Sequence, residues 1–205
     1  PLRSALGDIP LAFETDVNAA AWGERKWGAA RDLDDFVYIT VGTGIGGGAV
    51  SGGKILHGEG HPEMGHLRVP HDRDIDPFDG DCPFHGNCLE GLASGSALQQ
   101  RWQCDPRELK EDHPGWELEA HYLADALANL TLTLSPARFI LGGGVMEQSH
   151  LFHKIRQRLS QRLAGYLSLP ELEEFIMPPG LGAQAGVLGA LALAQDLIST
   201  IPCQP

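Results

Sequence analysis

The chain has 205 residues, a hydrophobic content of 42% and a formal net charge of −12. That length suits one large domain or a domain and a half, and the apolar content suits a soluble globular core. The negative charge argues against nucleic acid or an anionic membrane surface as the main partner, though not against a nucleotide, which needs only a local anion site. No signal-like opening and no apolar run long enough to span a bilayer is present, and a reducing cytoplasm is the simplest setting for the four cysteines. The opening Pro1-Leu-Arg-Ser lacks an initiator Met and resembles the middle of a helix or loop, so residues upstream are expected to have been lost or left out.

The predicted elements alternate between the two periods. Leu11 to Glu14 reads as the end of a strand, and Asp16 or Asn18 caps a helix from Ala19 to Trp27 that stops near Gly28. Asp35 to Thr40 is a β-rich run. Gly42 to Gly48 is expected as a glycine turn, with a strand resuming at Ala49-Val50 and a hairpin signal at Ser51-Gly-Gly-Lys54. Residues 57 to 88 show no periodicity, and so long a loop inside a compact domain has to be tied down by something.

The pattern turns helical from Leu89. Leu118, Leu123, Leu127, Leu130 and Leu134 form one stripe, and Leu151, Ile155, Leu159 and Leu163 another. Between them Arg138 to Leu141 is a short buried strand followed by Gly142-Gly-Gly144. Phe175 to Met177 is a further strand, broken by Pro178-Pro-Gly180. Gln184 to Ile198 is nearly all apolar, so it is expected to be buried against something. Strands alternating with helices predict an α/β domain.

Cys82-Pro-Phe-His85-Gly-Asn-Cys88 places three soft ligands in a turn that can wrap one tetrahedral zinc ion. His66, in Glu63-Met-Gly-His66, is well placed as the fourth. The alternatives are a Cys82–Cys88 disulfide or two unrelated thiols. Zinc is preferred because nothing in the chain suggests an oxidising compartment. Cys104 and Cys203 look like ordinary thiols.

Gly42-Thr43-Gly44 can let backbone amides approach a phosphate, with the Thr43 hydroxyl as an added donor. Tight β-turns collect glycines too. Gly142, Gly143 and Gly144, between a strand and a helix, can seat a phosphate or a flat base, or be a simple turn. Asp16 alone is an ordinary helix cap, Glu63 and His66 alone are surface residues, and Glu90 alone caps the following helix.

Together and in this order, these features resemble the ROK family of sugar kinases and repressors. Residues 82 to 95 look most like its bacterial fructokinase branch: His85 stands where many members have a cysteine, and the spacing differs from the commoner Cys-x-Cys-x-x-x-x-Cys. Many glucokinase-like members carry Asn-Asp where this chain has Thr15-Asp16. Fructose is therefore the first expectation for the sugar, then mannose or glucose.

The resemblance implies an actin-like ATPase (ribonuclease H-like) α/β fold of two lobes around a cleft. Residues 1–30 would be the end of the first lobe, 31–183 the second lobe, and 184–205 a helix returning to the first. It implies Asp16 as the general base. Thr15, Glu63, His66 and Glu90 would contact the sugar. Gly42, Thr43 and Gly44 would hold ATP phosphates, with Gly142, Gly143 and Gly144 near the adenosine. A structural zinc would sit on His66, Cys82, His85 and Cys88, magnesium would accompany ATP, and the protein would be a homodimer. The family's first phosphate loop would lie upstream of Pro1, so the chain as given is expected to be a poor kinase or none. A sugar-responsive repressor and a zinc-stapled binding module are the competing readings.

Overall fold

The computed structural model describes residue 7 and residues 9–199; the opening Pro1 to Ser4 and Cys203 lie outside them. The sheet has five strands in the order β3-β2-β1-β4-β5: β1 (Phe36–Val41), β2 (Ile45–Ser51), β3 (Lys54–Ile55), β4 (Phe139–Gly142) and β5 (Ile176–Met177). β1, β2 and β3 form an antiparallel meander, while β4 and β5 add in parallel beside β1. The parallel half follows from its long helical crossovers, the antiparallel half from its short turns.

Residues on β1 alternate between two cores, as the two-residue period of a strand requires. Phe36 and Tyr38 join Val50 and Ile140 under helices α1 (Asp16–Trp27) and α7 (Ala185–Ser199). Val37, Ile39 and Val41 enter the larger core, beneath α2 (Leu89–Ala93), α3 (Gly95–Trp102), α4 (Gly115–Leu134) and α5 (His150–Leu163). A single turn, α6 (Leu172–Phe175), leads into β5. The α5 stripe is as expected, with Leu151, Ile155, Leu159 and Leu163 all buried. In the α4 stripe, Leu123, Leu127 and Leu130 are buried and Leu118 and Leu134 half-buried.

Three expectations about local structure are corrected. Leu11 to Glu14 is not a strand, and α1 starts at Asp16 instead of Ala19. Neither Asp16 nor Asn18 is the cap: Thr15, in extended conformation, accepts the Asn18 amide at 3.2 Å through Oγ1, and Asp16 is the first helical residue. The glycine run is not all turn. Only residues 42–44 turn, and Gly46, Gly47 and Gly48 lie inside β2, paired with Thr40, Ile39 and Tyr38.

The reason is close packing on both faces of β2. A Cβ on Gly46 or Gly48 would come within 2.9 Å of Val17 or 2.6 Å of Asn18 on α1, and one on Gly47 would meet Met64 at 2.8 Å on the opposite face. The missing side chains make room for α1 on one side and the metal loop on the other.

The last helix is buried on one face and exposed on the other. Ala185, Gly189 and Ala192 are buried against α1, but Val187, Leu191 and Ile198 are exposed. Glu24, fully buried on α1, accepts from the backbone N–H groups of Ala29 (2.6 Å), Gly180 (3.0 Å) and Leu181 (2.9 Å) and so fixes the approach to α7. Among the described residues no helix is long and apolar enough to cross a membrane.

The α1–α7 contact depends on Gly189, where a Cβ would overlap the backbone of Ala19. Gly189→Ala is expected to lower stability by about 1–3 kcal/mol through overpacking. Gly186→Ala, on the same helix with nothing within 4 Å of its Cβ, is expected to be neutral or slightly stabilising. Urea unfolding of the two variants checks the contrast.

Candidate active site and metal centre

The long loop contains one regular element, a 3-10 turn at Met64–His66. It is held at its C-terminal end by four donor atoms that all lie within 4.8 Å of one another: one each from His66, Cys82, His85 and Cys88. His66 Nδ1 is 3.4 Å from Cys88 Sγ and 3.7 Å from Cys82 Sγ, and His85 Nδ1 is 3.6 Å from Cys82 Sγ. A tetrahedral zinc with bonds of about 2.0–2.3 Å sets its ligands roughly 3.5 Å apart, so the spacing fits. Cys82 and Cys88 are free thiols, which removes the disulfide alternative. Burial, and then the neighbouring Cys82, push the Cys88 thiol up against the lowering effect of the Gly91 amide.

The turn is pressed onto β2, for Gly65 has no room for a Cβ against the carbonyl of Ile45. His66 Nδ1 faces the sulfurs, which leaves Nε2 on the other edge of the ring. Glu90, on α2 just past the last cysteine, has Oε1 4.0 Å from His66 Nδ1, while its Oε2 accepts the Ile45 N–H at 2.9 Å. Glu90 thus ties the metal loop to the strand that follows the glycine hairpin. Glu63 is exposed at the start of the 3-10 turn, and its carbonyl accepts from the His66 amide at 3.0 Å. Three elements therefore meet at the first residues of β2: the start of α1 through Val17, the 3-10 turn through Gly65, and α2 through Glu90.

Asp16 is exposed in the first turn of α1, with Oδ1 accepting the Val17 N–H at 2.9 Å. Burial, then the carboxylates of Glu24 and Asp16, push the Tyr38 hydroxyl up to about 12.

The glycine turns come together because they follow the carboxyl ends of neighbouring parallel strands, β1 and β4. Gly42, Thr43 and Gly144 line one cavity of about 420 Å³ with Ser96, Arg107 and Gln148 among its other walls. The hairpin is held against the start of α3: the Gly42 carbonyl accepts from Gly95 N–H at 2.7 Å and the Thr43 carbonyl from Ser96 N–H at 3.4 Å. Gly44 packs beside Glu90. Gly142 lies within β4 with Tyr38 Oη against it, and Gly143, at φ +92°, presses on the backbone of Val41. These two glycines shape the turn, and of the three only Gly144 reaches the cavity.

Two groups were missed in the sequence. Asp76, buried within the long aperiodic loop, accepts from Arg101 through both oxygens (3.1 and 3.0 Å) and from Tyr122 Oη at 2.6 Å, a second anchor for the loop. Glu14 accepts from Thr15 N–H (2.9 Å) and Asn18 Nδ2 (2.7 Å) and pairs with His57 Nε2 at 2.8 Å. The only signal for Glu14 was its place in the Glu-Thr-Asp-Val-Asn run.

The profile described as the ROK family matches residues 4–197. A relative in Bacillus subtilis (strain 168) is 47% identical over 194 residues, covering 93% of this chain and 64% of that protein. A fructokinase of Pediococcus pentosaceus is 43% identical over 188 residues, covering 92% of this chain and 65% of its own length. The chain thus spans a little under two thirds of these curated relatives. Among solved structures, a ROK hexokinase from Thermus thermophilus superposes with a TM-score of 0.80 at 33% identity, covering 97% of this chain and 69% of its own. A ROK glucokinase from Streptomyces griseus, in complex with glucose and AMPPNP, gives 0.73 at 30%, with 95% and 71% coverage. The expected actin-like α/β fold is therefore the fold observed.

Burial raises the Glu14 carboxyl, but the Asn18 and Thr15 hydrogen bonds and His57 together bring it below its ordinary value of 4.5. A depressed folded-state value means that Glu14 contributes stability above its unfolded value and loses it as pH falls through the folded one. A carbon-13 titration is expected to place the Glu14 midpoint below 4.5. Glu14→Gln is expected to remove the acid-sensitive part of stability contributed by this group.

Proposed function

This chain belongs to the ROK family, and from that membership we propose that the whole protein is an ATP-dependent hexose kinase with fructose as its acceptor. The observation that carries the choice of sugar is sustained similarity to fructokinase over more than nine tenths of this chain. Three features support the reading: a carboxylate at the start of α1, the His66, Cys82, His85 and Cys88 cluster with polar side chains beside it, and a cavity lined by Gly42, Thr43 and Gly144.

In this reading Asp16 takes the proton from a sugar hydroxyl. The hydroxyl oxygen forms a bond to the γ-phosphorus as the bond from that phosphorus to the β,γ-bridging oxygen breaks and ADP leaves. Phosphoryl transfer asks the protein mainly for positioning and charge stabilisation, so one carboxylate base suffices. Gly42 and Thr43, which line the cavity, face the phosphates with Gly44 completing their turn, and the cavity wall at Gly144 receives the adenosine. Magnesium with the nucleotide supplies positive charge to the phosphates. Glu63, His66 and Glu90 fix which hydroxyl meets the phosphate. Thr15 takes part through the cavity it lines beside the helix.

His66, Cys82, His85 and Cys88 would hold a structural zinc, which would fix the His66 ring through Nδ1 and leave Nε2 free for substrate. The exposed Val187, Leu191 and Ile198 support a further partner surface on α7, which accommodates a homodimer or a contact with the remainder of the first lobe. We keep the division at residues 30 and 183 as a proposal: α1 and α7 pack together on one face of the sheet, where they share a core with Phe36, Tyr38, Val50 and Ile140.

The test is Asp16→Asn in the full-length protein. Turnover of fructose with magnesium-ATP is expected to fall by about 100- to 10,000-fold, with fructose affinity by calorimetry nearly unchanged. Near-normal turnover would return Asp16 to an ordinary helix residue. Failure of the wild type to phosphorylate any of a panel of hexoses would rule out the kinase reading.

A further inference from the structure

A second polar cluster lies at the start of α1, apart from the metal cage and the glycine-walled cavity. Its logic starts at Glu14. An ionised carboxylate only accepts hydrogen bonds, so Asn18, 2.7 Å from Glu14 Oε1, has to present its amide nitrogen. That orientation leaves Asn18 Oδ1 buried without a partner. Flipping the amide would place its oxygen against the Glu14 carboxylate, so the orphan is the smaller cost. The same Nδ2 lies 3.4 Å from His61 Nδ1. Facing a donor, Nδ1 of the neutral ring accepts, and the ring proton then belongs on Nε2. No hydrogen bond to Nε2 is formed by any of the described residues.

His61 is half-buried and lines an open cavity of about 510 Å³ with Phe13, Thr15, His57 and Glu59, directly beside the residue that precedes Asp16. No lysine or arginine lines it, whereas two carboxylates, Glu14 and Glu59, do. Such walls disfavour a phosphate and suit a neutral polyol, which offers hydroxyls to the carboxylates and imidazoles and C–H faces to the exposed Phe13 ring.

We propose that His61 is a specificity-determining residue of the acceptor site, whose Nε2–H, oriented through Asn18 and Glu14, donates to a hydroxyl oxygen of the bound hexose. This rests on the kinase reading. Asn18 and Glu14 are positioning residues behind it. His57, held by Glu14 at 2.8 Å, fixes the other end of the 57–61 segment.

The test compares His61→Ala and His61→Gln with wild type in the full-length protein. Loss of one neutral hydrogen bond to substrate, about 0.5–1.5 kcal/mol, corresponds to roughly a two- to tenfold rise in KM. His61→Ala is expected to raise the KM for fructose by that factor, with kcat and the KM for ATP nearly unchanged. His61→Gln, which keeps an N–H donor, is expected to recover most of the loss. A merely structural histidine would not produce a change confined to the sugar KM. In protein labelled with nitrogen-15 histidine, the His61 ring is expected as the Nε2–H tautomer. An unchanged fructose KM in an active His61→Ala enzyme, or an Nδ1–H tautomer, overturns this inference alone. A wild type that phosphorylates no hexose overturns it together with the kinase reading.

Discussion

The four-donor cage is the constraint on which the rest of the site depends. Three of its members fall within one short turn, but His66 is brought from 22 residues before Cys88. Between His66 and Cys82 runs a loop without a helix or strand, which offers few backbone hydrogen bonds and little apolar surface of its own. Ordering such a segment costs on the order of 1–2 kcal/mol per residue in backbone entropy. The cage and the buried Asp76–Arg101 pair are what can offset that cost. Because the turn carrying His66 is seated on Ile45 through Gly65, fixing the loop also fixes the imidazole relative to the sheet.

The second constraint is the glycine strand. β2 is the one place where a helix and the metal loop press on opposite faces of the same three residues, and only absent side chains allow both. This brings Val17, next to Asp16 at the head of α1, onto the strand that Gly65 and Glu90 also meet, from elements far apart in sequence. The parallel pairing of β1 with β4 then sets Gly144 opposite the Gly42–Gly44 turn. A carboxylate at the head of α1, a four-donor cluster and a glycine-walled cavity thus follow from two packing decisions about one small sheet.

The legible parts of the sequence were those where one local pattern decides the structure. The fourfold apolar repeat of α5 has a single stable solution, and Cys-x-x-His-x-x-Cys has few uses in a reducing setting. The helix from Asp16 was legible as a helix but not in its cap, because Thr15 and Asp16 are both good caps and the choice is made by backbone conformation. Gly46, Gly47 and Gly48 were misjudged because glycine punctuates turns in most contexts. Their reason, close approach by Val17, Met64 and Asn18, lies outside their own segment. Asp76 did not stand out within the aperiodic loop, since its partners Arg101 and Tyr122 are 25 and 46 residues away. His61 was one scattered histidine among nine. Its tautomer depends on an asparagine 43 residues earlier, and no spacing rule reaches that far.

The central claim is that metal, loop and sugar-facing side chains form one unit. The most direct measurement is calorimetric titration of the full-length protein with fructose in three states: as purified under reducing conditions, after removal of metal with a chelator, and after restoring zinc. The account predicts that removing the metal weakens fructose binding at least tenfold and that one zinc per chain restores it. Fructose affinity that is unchanged in the verified metal-free protein would contradict it.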